Sequence, residues 1–267
     1  MKGLTSRLII FLPLLFITTL ANANEAILTW VSEPTTDNTR INVRRFENEQ
    51  WLALEKVYES NELNSSPSVG SNLAGDIMVV WSSQSVIRST IRAKMFRNSE
   101  WQNSTVVVNQ AGQLTSPNIG FDGEGNAHLL WVSDQRGLDD VYHKKGISET
   151  SQWSAIQQIN AENQVPDIRP EIFYDAGDMY VRWQSFSLET GEYIQEQVLL
   201  ISATQDQLSQ QESSKKNADA SNSQTEISVS NDSGIEDFPL PDDFDYIEKA
   251  AGIHFPNNSQ IKFFRLY

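Results

Sequence analysis

The chain has 267 residues, 39% of them hydrophobic and 10% aromatic, and no cysteine. That apolar content supports a real core, and the length fits one domain of about 150–250 residues with appendages. Zero cysteine excludes a disulfide scaffold, thiolate metal sites and cysteine catalysis. Thirty-five acidic against twenty basic residues, a net charge of −15, disfavour a phosphate-binding surface, so no nucleic-acid partner is expected.

Residues 1–23 read as a signal peptide. Lys2 and Arg7 form a positive n-region, and Leu8 to Leu20 make an apolar run broken only by Pro13 and two threonines. Ala21-Asn22-Ala23 then gives the small-x-small cleavage pattern. The run is too short and too broken for a comfortable membrane span, and no cysteine follows it to take a lipid anchor. The expected product is periplasmic or secreted, with no membrane span after signal cleavage.

The segment 24–203 repeats. Trp30, Trp81, Trp131 and Trp183 are spaced by 51, 50 and 52 residues, and each is followed by x-Ser, at Ser32, Ser83, Ser133 and Ser185. Six residues before the last three stands a glycine (Gly75, Gly125, Gly177) followed by Asp or Asn. Pro67, Pro117 and Pro170 precede the same tryptophans by 14, 14 and 13 residues, and Trp51, Trp101 and Trp153 trail the first series by 21, 20 and 22. Five markers in one register are a true repeat.

Each unit reads as four short strands. The proline opens the first, and a Gly-Asp or Gly-Asn hairpin turn follows. The second is the apolar run into Trp-x-Ser, as in 76–81 and 127–131. The third alternates, as in 39–46 and 90–96, and the second tryptophan starts the fourth. Units that cannot bury both faces alone follow the logic of β-propeller blades. The expected fold class is therefore all-β: a β-propeller of four visible four-stranded blades at about 24–60, 61–110, 111–161 and 162–203. A β-sandwich of eight or nine strands is the other reading, but it does not explain the fourfold recurrence.

Pro117-Asn-Ile-Gly-Phe-Asp-Gly-Glu-Gly-Asn126, with Leu129-Leu-Trp131-Val-Ser133 and Ser151-Gln-Trp153-Ser-Ala-Ile-Gln-Gln-Ile-Asn160, resembles the sialidase-like, BNR-type propeller repeats. The resemblance covers residues 25–203. The family's Asp-box, Ser-x-Asp-x-Gly-x-x-Trp, is degenerate here: Phe46, Phe96 and Ser148 stand five before the second tryptophans. For catalytic members the resemblance implies three arginines on a substrate carboxylate, an Asp acid/base and a Tyr nucleophile backed by Glu. Arg88, Arg136, Arg169, Asp134, Asp139 and Tyr193 are the residues offered for those roles. The family's early Arg-Ile-Pro is absent, and its rings close with six blades against four units here.

Unit one lacks its first strand, and unit four has no clear fourth strand after Ser202. The chain either closes as a four-bladed ring or forms an arc completed by another chain, as in a homo-oligomer. A strand from His254–Tyr267 is the third way to fill the gap. Residues 204–240 are Ser/Gln/Asn-rich and read as a disordered linker. The acidic Asp242, Asp243 and Asp245 follow, then a short helix at 246–251.

The Trp-x-Ser tryptophans are expected as wedges between blades. Asp122-Gly-Glu124-Gly-Asn126 has alternate oxygens, as in a calcium loop, but Ser133 stands where an EF-hand needs Glu, so a hairpin turn is expected. His128, His143 and His254 lack zinc spacing, and nucleophile-elbow and nucleotide motifs are missing. No metal or cofactor is expected.

The expected functional face comprises the loops 33–38, 84–89, 134–139 and 186–191, with the inter-blade loops near 60–66, 110–116 and 161–169. Residues there vary between units while the framework does not, as in loops free to specialise. Arg88, Asp134, Arg136, Asp139, Asp140 and Arg169 are expected to line one concave surface. Arginines among carboxylates suit an anionic or polyhydroxyl ligand. The first functional expectation is an exported, non-enzymatic propeller that binds a glycan or an exported partner protein. The others are a sialidase-like glycoside hydrolase and a truncated propeller with no activity of its own.

Overall fold

The computed structural model describes residues 25–35, 38–48, 50–147, 152–202, 251–254 and 262–264. The expected signal peptide at 1–23, the expected linker at 204–240 and the acidic residues at 242–245 lie outside them. The described chain is all-β and forms four antiparallel sheets in chain order. Sheet one contains β1 (Glu25–Thr35) and β2 (Asn38–Glu47), with β3 (Gln50–Trp51) and β4 (Glu55–Ser60) both on β2. Sheet two contains β5 (Leu63–Ser71), β6 (Ile77–Gln84) and β7 (Ser89–Arg97), with β8 (Glu100–Trp101) and β9 (Thr105–Val108) both on β7. Sheet three repeats this with β10 (Leu114–Phe121), β11 (Ala127–Ser133), β12 (Asp140–Ile147), β13 (Gln152–Trp153) and β14 (Gln157–Gln158). Sheet four has three strands, β15 (Asp167–Asp175), β16 (Asp178–Phe186) and β17 (Tyr193–Ile201).

The glycine turns form the expected hairpins. Gly75, Gly125 and Gly177 have φ of 82°, 81° and 89°, a region open to glycine without a Cβ clash. Asn72 and Asp122 open two of these turns, and each Oδ1 accepts the backbone N–H groups two and four residues on.

Successive sheets pack face to face, and strand alternation explains which residues are buried. Ile77, Val79 and Trp81 of β6 meet Ile27, Val31, Ile41 and Val43 of sheet one. Met78 and Val80, on the other face of β6, meet Ile119, Leu129 and Trp131 of sheet three. Leu130 and Val141 then meet Ile172, Met179, Val181 and Trp183 of sheet four. Strands β6 and β11 are thus covered on both sides and read as continuous apolar runs. Strand β16 alternates buried and half-buried residues, because this second face has no such cover among the described residues. Three of the four Trp-x-Ser tryptophans wedge into these seams as expected; Trp81 and Trp131 are 0% exposed and Trp183 is 4%.

The structure corrects three local readings. The prolines do not open the first strands but sit inside β5, β10 and β15. The residue before each is left-handed, with φ of 51° at Ser66, 49° at Ser116 and 55° at Arg169, and the ladder slips there. Proline has no N–H for the ladder, and a β-bulge lets the strand step past it. The fourth strand is not continuous either. Each second tryptophan ends a two-residue piece, the chain leaves the sheet for three residues, and a second piece returns to the same third strand.

The third correction concerns the missing first strand of sheet one. It is supplied by β18 (Ala251–His254), paired Ile27↔His254, Leu28↔Ile253 and Thr29↔Gly252. The donated strand therefore ends at His254, where the sequence suggests it begins. Strand β19 (Lys262–Phe264) adds beyond it. Ala251, the last residue of the expected helix, is already strand.

Candidate binding surface

In each sheet the turn between second and third strands, and the connection into the next sheet, fall at the same end. Loop 134–139 organises that end. Gly112, at φ 85°, lies where a Cβ would be 2.5 Å from Asp134 Oδ1. That close approach lets Asp134 accept the Gln113 N–H at 2.6 Å. Arg136 reaches outward, with Nη1 donating to Gln158 Oε1 at 2.8 Å and Nη2 to Glu162 Oε1 at 2.9 Å. The Asp139 carbonyl accepts the Asp167 N–H at 2.7 Å. Partial burial, and then the charges of Asp134 and Asp140, hold the Asp139 carboxyl above the usual carboxylate range.

Asp134, Arg136, Asp139 and Asp140 share one loop and its exit. Arg88 is exposed on the β6–β7 turn of the neighbouring sheet. Arg169 is not a loop residue: it occupies the β15 bulge, where its Nη1 donates to Gln184 Oε1 at 3.3 Å. Its counterparts at the other bulges are Ser66 and Ser116.

Two residues beneath this loop escape sequence reading, Asn160 and Asp167. Asn160 Nδ2 donates to Asp140 Oδ1 at 2.9 Å and to Asp167 Oδ2 at 2.6 Å, so one amide bridges two buried carboxylates. Asp167 is 0% exposed and also accepts from Asn163 and from the Trp183 indole. Its signal was a register one: Asp167 stands sixteen residues before Trp183, much as Asn64 stands seventeen before Trp81.

No family model matches the chain. No curated protein matches it in sequence either. Among solved structures it is similar to a protein of unknown function from Dyadobacter fermentans DSM 18053, at 8% identity and TM-score 0.48, over 62% of this chain and 60% of that one. The Hadza microbial sialidase Hz136 is similar at 8% identity and TM-score 0.48, over 68% and 43%. The endo-arabinase from Bacteroides thetaiotaomicron VPI-5482 is similar at 13% identity and TM-score 0.42, over 64% and 74%. The match thus spans less than two thirds of the first two chains.

At the opposite end of sheet three, the Asp122 turn carries a buried polar chain. His128 Nε2 lies 3.2 Å from Asp122 Oδ2, and His128 Nδ1 lies 3.0 Å from His143 Nε2. Lys145 Nζ approaches the same Asp122 oxygen at 3.1 Å. Burial opposes ionisation of Asp122, but bonds from His128, Asn126 and Lys145 outweigh it and hold the carboxyl well below its usual range. Burial, with His128 and Lys145 adding to it, pushes His143 down to about 4. The Asp122 carboxylate is committed to its turn and this chain, as the hairpin reading requires. Among the described residues, no three His, Asp or Glu side chains are placed to share a metal ion.

Proposed function

We propose that the chain is an exported, non-enzymatic propeller-type module whose four sheets are blades and whose loop face binds a neutral glycan. The observation that carries this reading is the half-buried Asp139 carboxyl, flanked by the charges of Asp134 and Asp140 and beside an Arg136 already engaged by Gln158 and Glu162. Carboxylates are acceptors only, so the loop favours a ligand that donates hydroxyl protons over one that brings negative charge. The three arginines offered for a sialic acid carboxylate stand on a turn of sheet two, a loop of sheet three and a strand bulge of sheet four, and Arg136 and Arg169 already donate to Gln158, Glu162 and Gln184. The close carboxylate pair, Asp140 and Asp167, is spent on Asn160, Asn163, Gln158 and Trp183. A carboxylate so occupied has little capacity left for acid, base or nucleophile work.

The test incubates mature protein (residues 24–267) with an immobilised glycan panel, following retained protein and released sugar together. Retention of a neutral glycan without release, lost in Asp139→Ala and Arg136→Ala, is the expected result. Released sugar would replace this reading with the hydrolase. Retention of sialylated glycans alone would contradict the choice of a neutral ligand. Absence of both signals would turn the search to an exported partner protein.

A further inference from the structure

The seam between sheets one and two is closed by an aromatic and ionic stack. Phe96 packs edge-on against Trp101, with ring centroids 5.3 Å apart, and the Arg45 guanidinium lies 4.6 Å from the Phe96 centroid. Glu55 then accepts both Arg45 Nε at 2.9 Å and Trp101 Nε1 at 2.6 Å. The ladder registers identify the equivalent positions between sheets two and three. Ile77↔Phe96 corresponds to Ala127↔Gly146, Phe96↔Trp101 to Gly146↔Trp153, and Val43↔Glu55 to Ala93↔Thr105. Gly146 thus replaces Phe96, Thr105 replaces Glu55, and Met95, fifty residues on, replaces Arg45.

Three substitutions remove the ring, its cation and the acceptor together. At this place the structure has a cleft of about 320 Å³. Met78, Met95, Phe121 and Ala127 line it on the apolar side, and the Trp153 indole lies against the Gly146 backbone, three of its ring carbons 3.2 Å from a Cβ built there. The exposed Asn98, Gln102, Asn103 and Gln152 line its polar side, with Arg97, whose guanidinium donates to Asp76. The Trp153 N–H, unlike that of Trp101, has no acceptor among the described residues. The cleft is at the glycine-turn end of the sheets, away from the loop face.

We infer that this cleft is a second binding site, for the pyranose ring of a saccharide, with Trp153 as its aromatic wall. A sugar ring presents C–H faces to an indole and equatorial hydroxyls to amides, which both donate and accept. An apolar cleft with a few convergent polar groups is the usual form of a small-molecule site. The exposed amides can trade water for the hydroxyls of an uncharged polyhydroxyl ring, which a purely aromatic guest lacks. The inference does not depend on the loop face.

The decisive variant is Gly146→Phe, which restores the ring that Phe46 and Phe96 provide in the first two units. Gly146 does not have the left-handed φ that would demand glycine, although Trp153 must shift to admit the new side chain. The full chain is titrated by calorimetry with D-glucose, D-galactose, D-mannose, N-acetyl-D-glucosamine and, separately, benzyl alcohol, each to tens of millimolar. Binding of at least one sugar, weakened at least about tenfold in Gly146→Phe and in Trp153→Ala, is expected. Circular dichroism shows which variants are folded, and either folded variant suffices. Binding of benzyl alcohol alone, of no probe, or of a sugar equally by wild type and folded variants would overturn the site. Sugar binding lost in Arg136→Ala but kept in Gly146→Phe would return it to the loop face.

Discussion

Leu114 occupies the position that should supply a hydrogen-bond acceptor to Trp131. In sheet two Asn64 Oδ1 accepts the Trp81 indole at 3.1 Å and the Ser83 hydroxyl at 2.8 Å. In sheet four Asp167 Oδ1 accepts the Trp183 indole at 3.1 Å. Leu114 pairs with Ser133 in the same register as Asn64 with Ser83 and Asp167 with Ser185, and the fully buried Trp131 Nε1 has no partner among the described residues. Tryptophan and serine two apart point to one face of a strand, so the motif is a polar socket inside an apolar seam.

Replacing these tryptophans by phenylalanine should therefore not cost the same. Trp81→Phe and Trp183→Phe each deprive a buried acceptor of a donor, while Trp131→Phe removes a donor that was already orphaned. Urea denaturation should show Trp131→Phe as the mildest of the three, by about 1–3 kcal/mol. Equal losses would refute the socket.

Two glycines in or beside the candidate loop separate conformational from steric demand. Gly137 has φ 95° with open space around its missing Cβ, so Gly137→Ala should cost about 1 kcal/mol of left-handed strain. Gly112→Ala adds a collision with Asp134 Oδ1 and the Gln135 backbone, at 2.5 and 2.6 Å. Its denaturation midpoint should fall by more, and glycan retention should fall with it as Asp134 is displaced.

The His128–His143 chain makes stability depend on pH. His143 is ordinarily protonated near 6.5 but resists protonation in the fold until about 4. Between those values the unfolded state binds the extra proton, so stability should decline as pH drops from 6.5 to 4, by about 3 kcal/mol at most. Asp122 has the opposite ionic character but the same consequence at lower pH. Its depressed carboxyl stabilises the fold above the unfolded carboxylate value, and that stabilisation is lost as pH falls further. Urea midpoints across pH 7 to 4 for wild type and His143→Gln should differ in slope, the variant being flatter between 6.5 and 4.

The donated strand gives a fourth expectation. Ending the chain at Ser202 removes the partner of Ile27, Leu28 and Thr29 and leaves β1 a new free edge. Hydrogen exchange should accelerate in β1 and β2, with sheets three and four little changed. Uniform protection across all sheets would count against the donated strand as a stabiliser of sheet one.

The repeat, its glycine turns and the apolar wedges were determined by the sequence alone, because they depend on local geometry. A Gly-Asp turn and a period-two pattern have the same meaning wherever the strand ends up. What each sheet does with its seams was decided only by tertiary structure. Whether Trp131 finds an acceptor depends on a residue seventeen positions away, across a bulged ladder. The proline looks like a strand opener until the partner strand shows which N–H is missing. Arg169 looks like a loop charge until the bulge at Pro170 places it inside β15. Gly146 is an unremarkable glycine until its register with Phe96 shows which ring is absent and the facing sheet leaves the space unfilled. Positions fifty residues apart can be compared in a sequence, but the volume between two faces exists only once the sheets are packed.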